Sequence, residues 1–201
     1  MSLQSLTHIL KFSHIVPLLI CLLLYADFAY DLERTNYPKL IVLFAILFVL
    51  FFNFVKNKIY DLRFLAGISI LFRVVFLLAI PNLSQDFYRF IWDGRMILEG
   101  FNPYLYTVES FLMNSELPVN QAQELYDGMG TLNASHYTNY PPINQLCFVI
   151  AGLFAGNSIL GSVVVIRILI IAADIGTLYF GKKLLERLNL PVHNIFWYIL
   201  N

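Results

Sequence analysis

The side chains best suited to acting on a substrate lie in one run, Ser84-Gln85-Asp86-Phe87-Tyr88-Arg89-Phe90-Ile91-Trp92-Asp93-Gly94-Arg95-Met96-Ile97-Leu98-Glu99-Gly100. At about 100° per residue, Asp86, Arg89 and Asp93 fall on one stripe of a helix. The spacing predicts a helix over 84–100, with Ser84 as N-cap, Asp86 in the first turn and Gly100 at the left-handed position that ends it. Large apolar residues flank the stripe: Phe87, Phe90, Ile91, Trp92, Met96 and Ile97. Such a helix is expected in a membrane interface, with Tyr88 and Trp92 at headgroup depth. It would set carboxylates and an arginine beside the lipid surface, which suits chemistry on a lipid phosphate. The same spacing also describes an interfacial helix whose Asp–Arg pairs are surface salt bridges.

Asn102-Pro103 breaks that helix and turns the chain. A second polar helix is expected from Val119 to Gly128, then an irregular stretch from Thr131 to Tyr140. Tyr140-Pro141-Pro142 stands just before the next apolar run. Asn133-Ala134-Ser135 fits a glycosylation sequon, a pattern too common to carry weight.

The elements that position this run are apolar. Of 201 residues, 59% are hydrophobic and 13% charged, with formal net charge zero. Soluble domains carry about 25% charged residues. A chain so poor in charge lacks a water-compatible surface, and the bilayer is its natural solvent. No basic tract points to nucleic acid. A span needs about 20 mostly apolar residues. The stretches 14–28, 40–55, 64–80, 143–154 and 163–180 approach this, and another begins at Ile195. Period-2 alternation is absent. The expected fold is an all-α, multi-pass integral membrane bundle with a large external loop that contains interfacial helices. Residues 1–80 would supply three transmembrane helices, 81–142 the loop, and 143–201 two further spans and the start of a third. Cys21 and Cys147 both sit in apolar runs and read as unreactive buried thiols. The first apolar run lacks a small-x-small cleavage site and reads as a retained helix.

Lysines and arginines of short loops set orientation. Lys56, Lys58 and Arg63 cluster between the second and third spans, which makes that side, and Lys11, cytoplasmic. The loop 81–142 holds seven acidic residues, Arg89, Arg95 and no lysine, as an external loop would. Two further crossings would also put Lys182, Lys183 and Arg187 outside. Either that patch faces lipid phosphates or the fourth segment does not cross fully. The terminal apolar run, Ile195 to Leu200, is about a third of a span, so the chain reads as the front of a longer protein or a truncated frame.

The run from Ser84 to Tyr104 resembles the first external loop of the GT-C glycosyltransferases. More narrowly, it resembles the bacterial polyprenol-phosphate-mannose-dependent mannosyltransferases. The resemblance rests on Asp86, Tyr88-Arg89, Trp92-Asp93-Gly94-Arg95 and Gly100-Phe101-Asn102-Pro103-Tyr104, supported by Tyr140-Pro141-Pro142, and covers residues 64–201. It implies a transferase in the cell (inner) membrane, with the loop on the periplasmic face. A hexose, expected to be mannose, would move from a polyprenyl-phosphate donor to an acceptor glycan or glycolipid. By motif, Asp86 is the base for the attacking hydroxyl, and the outcome is inverting. Phosphate leaves without a general acid, so one carboxylate suffices. The departing phosphate needs a cation, for which Arg89 and Arg95 are the candidates. Asp93 reads as the partner of Arg89 at i+4. Asn102, Tyr104 and Tyr140 complete the candidate substrate contacts, and Tyr106 and Tyr137 could also stack on sugars. Gln85 stands where the family has the first of an acidic pair; it is a poor metal ligand. No cofactor is called for, and a divalent metal is compatible with the acids but not indicated.

Arg73, Arg167 and Asp174 interrupt apolar runs, each at about 2.5–3.5 kcal/mol in a helix centre. They should face the bundle interior and pair, either as a groove for the lipid phosphate or as helix–helix contacts. Two other classes fit the composition. A lipid or solute carrier would be expected to show repeated halves and helices broken at mid-membrane, and no internal repeat is found. A truncated, non-catalytic membrane subunit is the other.

Overall fold

The computed structural model describes residues 12–113 and 117–200. Lys11 and Asn201, used above for orientation and for the chain end, lie outside the described residues. Among those described, the secondary structure is all helical, with no strand. The chain forms two compact units, one of Met1–Ala79 with Ile170–Asn201 and one of Ile80–Leu169.

The first unit contains α1 (Phe12–Tyr30), α2 (Tyr37–Lys56) and α3 (Leu62–Val75), with the C-terminal part of the long helix α8 (Ile159–Arg187). Local chemistry sets the starts of α2 and α3. Asn36 Oδ1 accepts from the Lys39 amide at 3.2 Å, and Asp61 Oδ1 accepts from the Phe64 amide at 2.7 Å. Phe51, Phe54, Leu65, Ile68 and Phe72 bury their faces together with Phe196 and Ile199 of a short terminal helix. Arg73 and Asp174, two of the charges expected to pair, do so, with Arg73 Nε donating to Asp174 Oδ2. Helix–helix pairing thus satisfies both charges.

All five apolar segments form helices, and two of them, α2 with 20 residues and α8 with 29, are long and apolar enough to cross a membrane. Their outer faces expose Ile41 and Val49 on α2 and Phe180 and Leu184 on α8, a surface that favours lipid over water. Helix α3 has 14 residues, about 21 Å of rise against a hydrocarbon core near 30 Å.

The second unit is built on α4 (Asp86–Leu98), α5 (Val108–Met113), α6 (Ala122–Ala134) and α7 (Pro142–Ala155). Helix α4 starts at Asp86 with Gln85, not Ser84, at the N-cap, one residue later than expected, and Ser84 Oγ accepts from the Asp86 amide at 3.2 Å. Gly100 has φ +85, the left-handed stop read from the sequence. The environment of α4 corrects the sequence reading. Trp92 is fully buried inside this unit, and Arg89 and Asp93 are 2% and 0% exposed, so their pair is no surface salt bridge. The cause is Gly94. A Cβ there would lie 2.2 Å from the Phe148 carbonyl oxygen, so only glycine lets α7 approach this closely. Phe90 then stacks on Phe148 at 4.6 Å between ring centroids. On the α6 side, Gly128 makes room for the ring of Tyr88.

Helix α6 also differs from expectation. It begins at Ala122 after Gln121, which has φ +58, and runs past Gly128 to Ala134 with a kink at Gly130. Burial of Leu125, Met129 and Ala134 in the α4 core extends it, so the irregular stretch starts at Ser135 and not at Thr131.

Candidate active site

A cleft of about 340 Å³ opens in the second unit where α4 begins and α6 ends. Asp86, Arg89, Asn133, His136, Thr138 and Tyr140 are among its lining residues. Of the residues singled out from the sequence, Gln85, Asp86, Arg89, Tyr137 and Tyr140 therefore meet on one cavity. Asp86 is exposed at its rim, and Arg89 is buried behind it.

The guanidinium of Arg89 organises the wall. Its Nε donates to Asp93 Oδ1 at 2.7 Å, the i+4 partnership read from spacing. Its Nη1 donates to the carbonyls of Asn133 at 3.1 Å and His136 at 2.9 Å. The other oxygen of Asp93 accepts from Gln145 Nε2 at 2.9 Å, and the same nitrogen lies 3.2 Å from Thr138 Oγ1. One buried ion pair thus ties α4, the segment after α6, and α7. In low dielectric such a pair is strongly held, although the Gln145 Oε1 beside it is buried without a partner among the described residues.

Asn133 closes the chain back to the rim. Its Nδ2 donates to Asp86 Oδ1 at 3.1 Å. Oδ2 of Asp86 has no protein partner among the described residues, so the carboxylate is oriented yet able to accept a proton. Tyr140 packs edge-on against Phe90 and Phe148. Burial, together with the carboxylates of Asp86 and Asp93, holds its phenol above the usual tyrosine range, while Arg89 pulls the other way. Tyr140 is thus a neutral donor at neutral pH.

Three other candidates lie elsewhere. Tyr104 donates its hydroxyl to the Tyr140 carbonyl, bracing the cleft from outside its lining. Asn102 builds a turn, its Oδ1 accepting from the Tyr104 amide at 3.0 Å. Arg95 does not reach the cleft. Its Nη1 donates to the Asn120 carbonyl at 2.7 Å and lies 3.2 Å from Gln121 Oε1, at the start of α6. Burial lowers its pKa from the usual arginine value.

The sequence reading missed Asn133, His136, Thr138 and Gln145. Gln145 carried a signal, a polar amide one turn into an apolar run. The other three sit in a polar stretch with nothing to distinguish them. Among the described residues, no group of three or more His, Cys, Asp or Glu could hold a metal ion.

An oriented carboxylate, a buried arginine and a neutral phenol line one open cleft. The chain belongs to the alpha-(1->6)-mannopyranosyltransferase family: residues 35–201 match the model of its N-terminal domain. No curated protein and no solved structure matches the chain. Family membership bears out the resemblance drawn from Asp86 to Tyr104 and supports mannosyl transfer as the chemistry. With the apolar α2 and α8, it also suggests a membrane protein.

Proposed function

We propose that the cleft transfers a mannosyl group from a polyprenyl-phosphate donor to a hydroxyl of an acceptor glycan or glycolipid, with inversion, in the GT-C manner. The observation that carries this is Asp86, a carboxylate held by Asn133 at the mouth of a polar cleft, with one oxygen uncommitted. Asp86 takes the proton of the attacking hydroxyl as the oxygen bonds to the anomeric carbon. The C–O bond to phosphate breaks with its electron pair, so no general acid is required. Arg89 supplies positive charge to the cleft, and its bonds to Asn133 and His136 hold the wall in place. Tyr140 donates a hydrogen bond to a sugar or phosphate oxygen. In this reading 81–142 is an external loop between membrane helices of the inner membrane, and the lipid donor reaches it from the bilayer.

The test is Asp86→Asn, assayed by transfer of radiolabelled mannose from the lipid-linked donor in membranes. General-base contributions are about 10²–10⁴-fold, and transfer should fall by that order. Donor binding, measured separately, should survive. Full activity in Asp86→Asn would remove Asp86 from the role of base.

A further inference from the structure

His136 lines the same cleft and has one ring nitrogen committed and one open. Its Nδ1 lies 2.6 Å from the Leu132 carbonyl oxygen. A carbonyl only accepts, so the proton sits on Nδ1. In the neutral ring Nε2 is then a lone pair, and no group among the described residues donates to it. A histidine that merely caps the last turn of α6 would need only the Nδ1 bond. Here the backbone is also pinned. The carbonyl of His136 and that of Asn133 accept from one nitrogen of Arg89, the guanidinium that fixes the orientation of Asp86 through Asn133. His136 and Asp86 thus line one cavity, and one buried cation holds the backbone of the first and the Asn133 that orients the second. On the same lining is the ring of Tyr137, 63% exposed. Two fixed acceptors and an open aromatic ring suit a ligand with several hydroxyl donors and an apolar face, as a pyranose has.

We propose that His136 contacts the acceptor sugar, its Nε2 accepting a hydrogen bond from a hydroxyl that does not react, while Asp86 meets the one that does. This rests on the mannosyl-transfer reading above and adds a residue that selects the acceptor. His136 binds and orients; it takes no proton in the reaction.

The test uses octyl α-mannoside and its 2-, 3- and 4-deoxy forms as acceptors, with lipid-linked mannose as donor, in membranes holding the whole protein. A single neutral hydrogen bond is worth about tenfold in affinity. His136→Ala should raise KM for octyl α-mannoside by about that factor, with a smaller change in kcat and none in donor binding. One deoxy acceptor should be poorer than the parent for the unmodified protein by a similar factor, yet no poorer than the parent for His136→Ala, since the partner is already gone. His136→Gln, which keeps a polar atom near the place of Nε2, should restore part of the loss and serves as the second variant if His136→Ala folds poorly. If each deoxy acceptor loses the same factor with and without His136, in both variants, His136 does not contact the sugar and the inference falls. That result with an inactive Asp86→Asn removes only His136. Coupling at His136 with a fully active Asp86→Asn removes only Asp86 as base.

Discussion

Arg89 donates its Nε to Asp93 Oδ1 at 2.7 Å with both side chains buried, so the pair closest to the proposed chemistry is also a structural joint. Removing one partner of a buried pair leaves an uncompensated charge, at a cost of about 3–5 kcal/mol. Asp93→Ala should therefore lower the unfolding midpoint of the detergent-solubilised protein strongly. Asp93→Asn, which keeps a hydrogen-bond acceptor, should lower it less and should reduce transfer less than Asp86→Asn. Arg89→Met with Asp93→Leu should recover stability without recovering transfer. An Asp93→Asn protein that is less active than Asp86→Asn at unchanged unfolding midpoint would contradict a purely structural role for Asp93.

Gly94 permits the close crossing of α4 and α7. A methyl there would meet the Phe148 carbonyl at 2.2 Å, where backbone on both sides must move. Gly94→Ala should cost about 1–3 kcal/mol in thermal unfolding and pull α7 with Gln145 away from Asp93. Gly67→Ala is the control, because nothing lies within 4 Å of a Cβ there. Equal stability of the two variants would contradict the packing described.

Tyr140 supplies a pH test. Its phenol is held above the ordinary tyrosine value, near 10, by burial first and by Asp86 and Asp93 next. A raised acid favours the protonated form in the fold. Its stabilising share is therefore complete below the unfolded pKa and is lost as pH rises through the folded one. Phenolate absorbance should show a late component that shrinks by one tyrosine in Tyr140→Phe, and that same share should titrate earlier in Asp86→Asn. A Tyr140 component at or below the ordinary value would refute this account.

Orientation can be read by labelling. In a background without Cys21 and Cys147, a cysteine replacing Ser110 should react with an impermeant thiol reagent in intact cells, and one replacing Asn57 should not. Labelling of the Asn57 position alone would reverse the proposed orientation and move the cleft to the cytoplasmic side.

Composition and local pattern determined much of this protein. An apolar chain with little charge specifies helices, and Asp86 to Tyr104 carried enough pattern to indicate a mannosyltransferase family that the match over 35–201 bears out. Spacing alone put Arg89 and Asp93 one turn apart, and Gly100 at a helix stop. These are properties of neighbours in the chain, set by helix geometry and backbone sterics. Depth and company were another matter. A period of 3.6 says which side chains share a face but not what covers that face, so Trp92 and Arg89 read as surface side chains although the rest of the unit buries them. Nor could spacing reveal that Arg89 holds carbonyls 44 and 47 residues away, or that Asn133 and His136 would border the cleft with Asp86. Those contacts exist because α6 runs on to Ala134 and brings its end, with the segment after it, against Arg89. Only the tertiary structure could decide this, since contacts between distant segments depend on how helices pack and not on the order of residues within any one of them.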